Sequence, residues 1–586
     1  MLKQLVHNGV VVPPPPAYNS LTLAIRGRPV TLTPEQEEMA LAWARKHGTP
    51  YVEDPMFVRN FLIDFSEALG IQPPLKDGDV DFGPAIEVVA RERAAREALT
   101  PEERKARAAE NKAKREALRE QFGRAIVDGA DTDLGTYLVE PSGIFMGRGK
   151  HPLRGRWKPG PQQRDITLNL SPDAPTPPGD WGGRVWEAES MWIARWKDKL
   201  SGKTKYIWLA DTASIKQDKE ARKFDRATQL SASIEVVRAH IFAGLQDADS
   251  RRRRVATAAY LIDKLCLRVG DEKDPDEADT VGATTLRPEH VALHDDGTVE
   301  FRFLGKDSVE WHKKVELPEE VRRNLEELRR EARPSRSGAN SAAGDRPQLF
   351  PDVSSRDVNA FLAEALPGLT AKVFRTRHAT AKVKECLASA DITADAAEYR
   401  KRAAAMQANL EAAKLCNHYK KAPAKWQERQ ARVRERRDAL QQRVNLAREQ
   451  LKALREVEAA LQEEARAQEE AASPKTRARV AASWAKRLAK AKQKTDAQRQ
   501  RLERAEETLK RFDSQARLAS RCRTWNLGTS LKSYIDPRVY AEWGQQVAYD
   551  VLSCYYPKTL QAKFAWARRE EGEPETEMEE AKLTSS

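Results

Sequence analysis

From residue 420 to residue 523 the chain runs 104 residues without a glycine, and proline occurs there only as Pro423 and Pro474. Ala, Gln, Glu, Arg and Lys dominate the stretch, and all are good helix formers. Val444, Leu446, Leu451, Leu454, Val457 and Leu461 recur at helical spacing within it. Proline disfavours helix at the residue before it, so Ser473-Pro474 marks a turn. A mostly polar helix gains little by burial on its own. The stretch therefore predicts two long helices folded back on each other as an antiparallel hairpin.

Charge adds a second constraint. The chain carries a formal net charge of +13. Residues 420–523 hold 29 Lys and Arg against 15 Asp and Glu, and the rest of the chain holds 72 against 73. The surplus thus lies in one segment. A solvated helix face is the ordinary explanation of a charge run, but so large an excess of one sign points to a polyanion partner and an arm facing or adjoining DNA.

Several classes are set aside. With 586 residues, the chain is long enough for several domains. No run of about 18 apolar residues occurs, so no membrane span is expected. The start, MLKQLVHNGVVVPPPPAYNS, lacks the apolar core and cleavage site of a secretory leader. The five cysteines (Cys266, Cys386, Cys416, Cys522 and Cys554) are scattered and never form a C-x-x-C pair. That pattern suits a reduced intracellular protein. No phosphate-binding G-x-x-x-x-G-K-[ST], no G-x-G-x-x-G after a strand, no H-E-x-x-H and no G-x-S-x-G is present. His290 and His294 share a helical spacing but lack a third metal ligand. An enzyme built on this chain is expected to need neither nucleotide nor metal.

The remaining segments read as mixed structure. Thr33-Pro34-Glu35-Gln36 and Thr100-Pro101-Glu102-Glu103 each open a helix with a capping residue, proline in the first turn and acidic neighbours. Residues 99–121 form an exposed charged helix, 141–163 a glycine-rich basic loop, and 184–196 and 204–210 Trp-rich strands. Residues 219–269 are helical. Val299, Phe301 and Phe303 alternate, Gly305-Lys306-Asp307 turns, and Val309 and Trp311 alternate again, which predicts a β-hairpin with Lys306 at its tip. Residues 334–347 read as flexible and 567–586, with seven Glu, as an acidic disordered tail.

Five patches, in order, resemble the type IB DNA topoisomerases, the eukaryotic-type DNA topoisomerase I family. They are KLCLRVGDEK with Arg268, FRFLGKDS with Lys306, LTAKVFRTRHA with Arg375, KLCNHYK with His418, and TSLKSYIDPR with Tyr534. GIFMGRGKHP at 143–152, SIKQDKEARKFDRA at 214–227 and KFAWA at 563–567 add to the resemblance, which covers nearly the whole chain. It implies an α+β, predominantly helical fold built on a DNA breaking-rejoining catalytic core. Residues 1–215 are then an N-terminal DNA-binding cap and 216–419 the catalytic core. Residues 420–524 form a basic antiparallel coiled-coil linker, 525–566 a small C-terminal domain with the tyrosine, and 567–586 the tail.

The resemblance also implies roles. Tyr534 is the nucleophile, forming a 3′-phosphotyrosyl bond and freeing a 5′-hydroxyl. Arg268, Arg375 and His418 stabilise the transition state, and Lys306 is the general acid. Arg148, Lys150, Lys216, Asp307, Lys372 and Ser533 contact DNA. The chemistry is sound on its own terms. A phenol ordinarily ionises at about pH 10, so it needs a cationic surround to react. Arginine forks match phosphate oxygens, and each such donor is typically worth about 3–4 kcal/mol in a transition state. One phosphodiester replaces another, so no ATP is consumed, and a divalent cation is at most stimulatory.

The implied partner is duplex DNA, preferably supercoiled, held by a monomeric clamp without a membrane. The protein is then intracellular and DNA-associated, in the nucleus of a eukaryote or the nucleoid of a bacterium. Basic residues of the 147–154 loop and acidic residues of 271–277 are expected to meet as the clamp closes. Two departures stand out. Ser533 replaces the family's usual Asn, which implies reduced sensitivity to camptothecin-type poisons. A long Lys/Glu-rich N-terminal tail is absent, which suggests a bacterial or shortened member. Tyrosine recombinases use a similar residue set, but place His three residues before the second Arg, where Lys372 stands here. A non-enzymatic architectural DNA-binding protein would bind DNA and relax nothing.

Overall fold

The computed structural model describes residues 1–149, 151–271, 279–333 and 346–568, with Asp307 described by its backbone alone. Lys150, the 272–278 part of the acidic loop, 334–345 and the tail beyond Arg568 therefore lie outside the described residues. The chain divides into two compact units, 1–374 with 562–586, and 375–561. Helices predominate and small sheets accompany them, as an α+β, mainly helical chain requires.

Among the described residues of the first unit, three apolar cores form. One gathers Leu23, Phe57, Phe61, Phe65 and Trp157. Its helices Pro34–Ala44 and Pro55–Leu69 start at Thr33 and Asp54, whose side chains accept from Gln36 N and Met56 N. A second core lies on the four-stranded sheet ordered Gly183–Val185, Ile166–Asn169, Trp192–Lys197, Thr204–Trp208. The charged helix Pro101–Phe122 carries the expected Thr100 capping box and buries no residue. Within the 141–163 loop, Gly143–Ile144 pairs with Trp157–Lys158, a short ladder that its glycines conceal.

The third core joins the helices Ser214–Ala232, Ile234–Leu245 and Ser250–Leu265 to a three-stranded sheet. Strands Thr298–Gly305 and Val309–Glu316 pair with Phe303 opposite Trp311. The alternation places Val299, Phe301, Phe303 and Trp311 inside, and the Phe303 and Trp311 rings stack at 5.2 Å. Gly305 pairs with Val309, so Lys306–Ser308 is left as the tip, with Lys306 exposed.

In the second unit, helices Trp426–Ala471 and Arg477–Arg521 form the expected hairpin. Arg437 meets Asp513, Arg448 meets Glu506, and Trp484 Nε1 donates to Gln468. As one number rises the other falls, so the helices are antiparallel. Inward positions 444, 447, 451, 454, 458, 461 and 465 alternate steps of three and four, the spacing of a paired helical seam. Leu446 and Val457, counted in the apolar stripe from sequence, are instead 55% and 54% exposed. Ala447 and Ala465 are buried in the seam, beside Val444 and Leu451.

Candidate functional site

Three of the expected residues come together in the second unit, each placed by a local cause. Helix Glu398–Leu415 ends at Asn417, whose φ of +53° is left-handed. Asn417 N then donates to Lys414 O at 3.0 Å and His418 N to Ala413 O at 2.8 Å. Asparagine tolerates that backbone, and the paired bonds satisfy the helix's last carbonyls. His418 is thus thrown back across the helix end. Tyr534 follows the short helix Leu527–Ser533 and donates its N–H to Ser530 O at 2.9 Å. Asp536 caps the next helix, with Pro537 at its start, so the chain must turn at Tyr534. Arg375 lies on helix Ala371–Ala388.

Around Tyr534 the groups are close and buried. Arg375 Cζ lies 5.0 Å from the centre of the Tyr534 ring, and the His418 ring centre 5.1 Å. Arg375 Nη2 donates to Cys416 O at 2.9 Å and lies 3.4 Å from His418 Nε2. His418 Nδ1 lies 2.7 Å from Ser530 Oγ. Exposures are 4% for Tyr534, 5% for Arg375 and 7% for His418. Thr380, one and a half turns beyond Arg375 on the same helix, pins the tyrosine backbone. Its hydroxyl donates to Tyr534 O at 3.2 Å and accepts from Asp536 N at 3.1 Å. Sequence reading missed Thr380 and Ser530, since nothing in their local patterns signals contacts made more than a hundred residues away.

Arg268 and Lys306 belong to the first unit, and there they share one scaffold. Cys266, at φ +55°, ends helix Ser250–Leu265 and releases the Arg268 segment. Ala283 N donates to Arg268 O at 2.9 Å, and Val281 N donates to Leu304 O at 2.8 Å. The 281–285 segment therefore bridges Arg268 to the strand that ends at Lys306. The crossing is tight: a Cβ on Gly282 would lie 2.5 Å from Gly270 Cα. Arg268 is half-buried and Lys306 exposed.

The expected DNA contacts are spread over both units. Arg148 is exposed on its loop, and Lys372 is exposed at the start of helix Ala371–Ala388. Gly149, at φ +58°, abuts the Lys306 turn, where a Cβ would come within 2.5 Å of Ser308 Oγ. Lys216 donates to Leu209 O at 2.7 Å and to Asp211 at 3.1 Å. Arg154, expected on the basic edge of the loop, turns inward to Asp54 at 2.6 Å and lies over Tyr51. Ser533 is half-buried beside Tyr534. A guanidinium, an imidazole and a phenol in mutual contact can bind a phosphodiester and present an oxygen nucleophile to it.

Three family profiles match in chain order. "Eukaryotic DNA topoisomerase I, DNA binding fragment" matches residues 2–209, "Eukaryotic DNA topoisomerase I, catalytic core" residues 212–451, and "C-terminal topoisomerase domain" residues 506–574. DNA topoisomerase I, mitochondrial, of Homo sapiens is 30% identical over 591 residues, which cover 97% of this chain and 90% of that protein. The chain belongs to the eukaryotic DNA topoisomerase I family. DNA topoisomerase 1 beta of Arabidopsis thaliana is 36% identical over 423 residues, 71% of this chain and 44% of that protein. DNA topoisomerase 1 of Candidozyma auris is 35% identical over 426 residues, 71% of this chain and 55% of that protein. The match thus spans about half the length of these two relatives. Among the described residues, no helix is long and apolar enough to cross a membrane.

Proposed function

We propose that the chain is a type IB DNA topoisomerase. It relaxes positive and negative supercoils by cutting one strand of duplex DNA, letting the free end rotate, and resealing the strand. The Tyr534 oxygen attacks phosphorus and the phenol gives up its proton to water. The P–O5′ bond breaks, and Lys306 supplies a proton to the leaving oxygen. Arg268, Arg375 and His418 hold the non-bridging oxygens as charge develops. The 3′-phosphotyrosyl bond conserves the energy of the bond it replaces, so the 5′-hydroxyl reverses the step without ATP or an obligatory metal.

The observation that carries this reading is the packing of Arg375 and His418 on the ring of Tyr534. Residues 1–215 act as the cap of a monomeric clamp, with 216–419 and 525–566 as its catalytic half. Arg148, Lys150, Lys216, Asp307, Lys372 and Ser533 contact the duplex, and Ser533 lowers sensitivity to camptothecin-type poisons. The basic hairpin lies beside the rotating duplex and slows it. Phosphate contacts dominate, so affinity falls steeply with salt and sequence preference is slight. The test is a supercoiled plasmid with EDTA and no ATP. Relaxation by the intact protein, absent in Tyr534→Phe, supports the reading. Binding without relaxation rejects it, and site-specific strand exchange selects a recombinase instead.

A further inference from the structure

Ser530 is fully buried, at 0% exposure, and serves two partners at once. Its carbonyl accepts from Tyr534 N at 2.9 Å and Ile535 N at 3.1 Å. Its hydroxyl lies 2.7 Å from His418 Nδ1. On the other side of that ring, Arg375 Nη2 is 3.4 Å from Nε2. A guanidinium only donates. In this structure the contact therefore favours a lone pair on Nε2 and a proton on Nδ1, donated to Ser530 Oγ.

A phosphate oxygen demands the opposite arrangement. It only accepts, so Nε2 must carry the hydrogen, and in a neutral ring Nδ1 then holds the lone pair. A carbonyl at Nδ1 would resist the change, because it too only accepts. A hydroxyl accommodates it by rotating about its C–O bond, since it both donates and accepts.

We propose that Ser530 is a positioning residue for His418, holding the imidazole through Nδ1 and reversing its own hydrogen-bond direction when a phosphate meets Nε2. The neutral ring loses a proton from Nδ1 and gains one on Nε2, both exchanged with water, and its charge is unchanged. The backbone of the same residue fixes Tyr534, so one position sets both the nucleophile and a donor to its target. The inference rests on the function proposed above and deepens it by one residue.

The experiment measures single-turnover covalent-adduct formation on a duplex whose cleaved end diffuses away. Ser530→Ala and Ser530→Val should slow adduct formation by about 10- to 100-fold while duplex affinity is kept. Ser530→Thr restores the hydroxyl and should return the rate to within about threefold of the original. An Ala variant as fast as the original protein, or Thr and Val variants equally slow, overturns the proposal. A second readout needs no cleavage: ¹⁵N-histidine spectra in a Tyr534→Phe background, with His418 assigned by His418→Gln. The His418 proton should move from Nδ1 to Nε2 on adding duplex, and an unchanged tautomer overturns the proposal. Should the intact protein form no adduct, the functional reading falls. The free-protein ¹⁵N shifts of Ser530→Ala against Ser530 then still report the serine–histidine contact separately.

Discussion

The helical hairpin and the tyrosine cluster share one compact unit yet use positive charge in opposite ways. On the hairpin, Lys452 is 80% exposed, Arg448 61% and Arg499 50%, and their ion pairs are with neighbours on the surface. Around Tyr534, Arg375 is 5% exposed and fixed by Cys416 O, and His418 is fixed by Ser530. Exposed cations gain little from any one partner, since water and salt screen them. They act by number, raising the local concentration of a polyanion. A buried guanidinium acts by position, because low polarity strengthens each contact and displacement is costly. Under the proposed function, the hairpin serves binding and the tyrosine cluster chemistry within one unit, and each half of that contrast can be broken.

The largest effect is expected at Tyr534, the proposed nucleophile. Tyr534→Phe keeps the ring that Arg375 and His418 pack on and removes only the oxygen. Adduct formation on labelled duplex should fall by at least about a thousandfold, with duplex affinity unchanged. Arg375→Ala or His418→Gln should each cost about 100- to 1,000-fold in the single-turnover rate, with a much smaller effect on affinity. A loss of affinity as large as the loss of rate would place these residues with the hairpin, as binding groups.

Protonation gives a third and smaller test, in the first unit. Burial holds the His7 imidazole down at about 4, against a usual value of 6.5, with its Nε2 on Asn169 O. The folded chain keeps this ring neutral while the unfolded chain protonates it. The stability it contributes is therefore whole above pH 6.5 and lost as the pH falls towards 4, by at most about 3 kcal/mol. Hydrogen exchange should show the strand Leu5–His7 opening on acidification before the hairpin seam does. A seam that opens first would contradict this.

The smallest effect on chemistry is expected from the hairpin. Changing Arg448, Lys452, Lys486, Lys490, Lys492 and Lys494 to Gln should alter the single-turnover rate by less than about threefold. Each of these charges that touches phosphate should lower the salt slope of binding by about 0.9. Single-molecule rotation should speed up in the variant. An unchanged slope and rotation rate would remove the hairpin from the DNA-facing surface.

The two regions were also legible to different degrees. The hairpin is a local pattern: absence of glycine, one Ser-Pro turn and helical periodicity foretell it. Its seam is legible only in part: Val444, Leu451, Leu454 and Leu461 face inward as the periodicity predicts, but Leu446 and Val457 are exposed while Ala447 and Ala465 are buried, and only the partner helix decides between stripes. At the site, ordered motifs pick out Tyr534, Arg375 and His418 by resemblance, and the capped turns at Asn417 and Asp536 explain how they are presented. Ser530 and Thr380 escape notice, because their contacts join residues 112 and 154 apart in sequence. Arg154 misleads for the same reason: its carboxylate partner, Asp54, lies far upstream.

The most direct test is to trap the protein on duplex DNA, digest it, and identify by mass spectrometry the peptide and strand end that are joined. The account predicts a phosphodiester between the Tyr534 oxygen and a DNA 3′ end, with a free 5′-hydroxyl on the other fragment. A link through any other residue, or to the 5′ end, would contradict it.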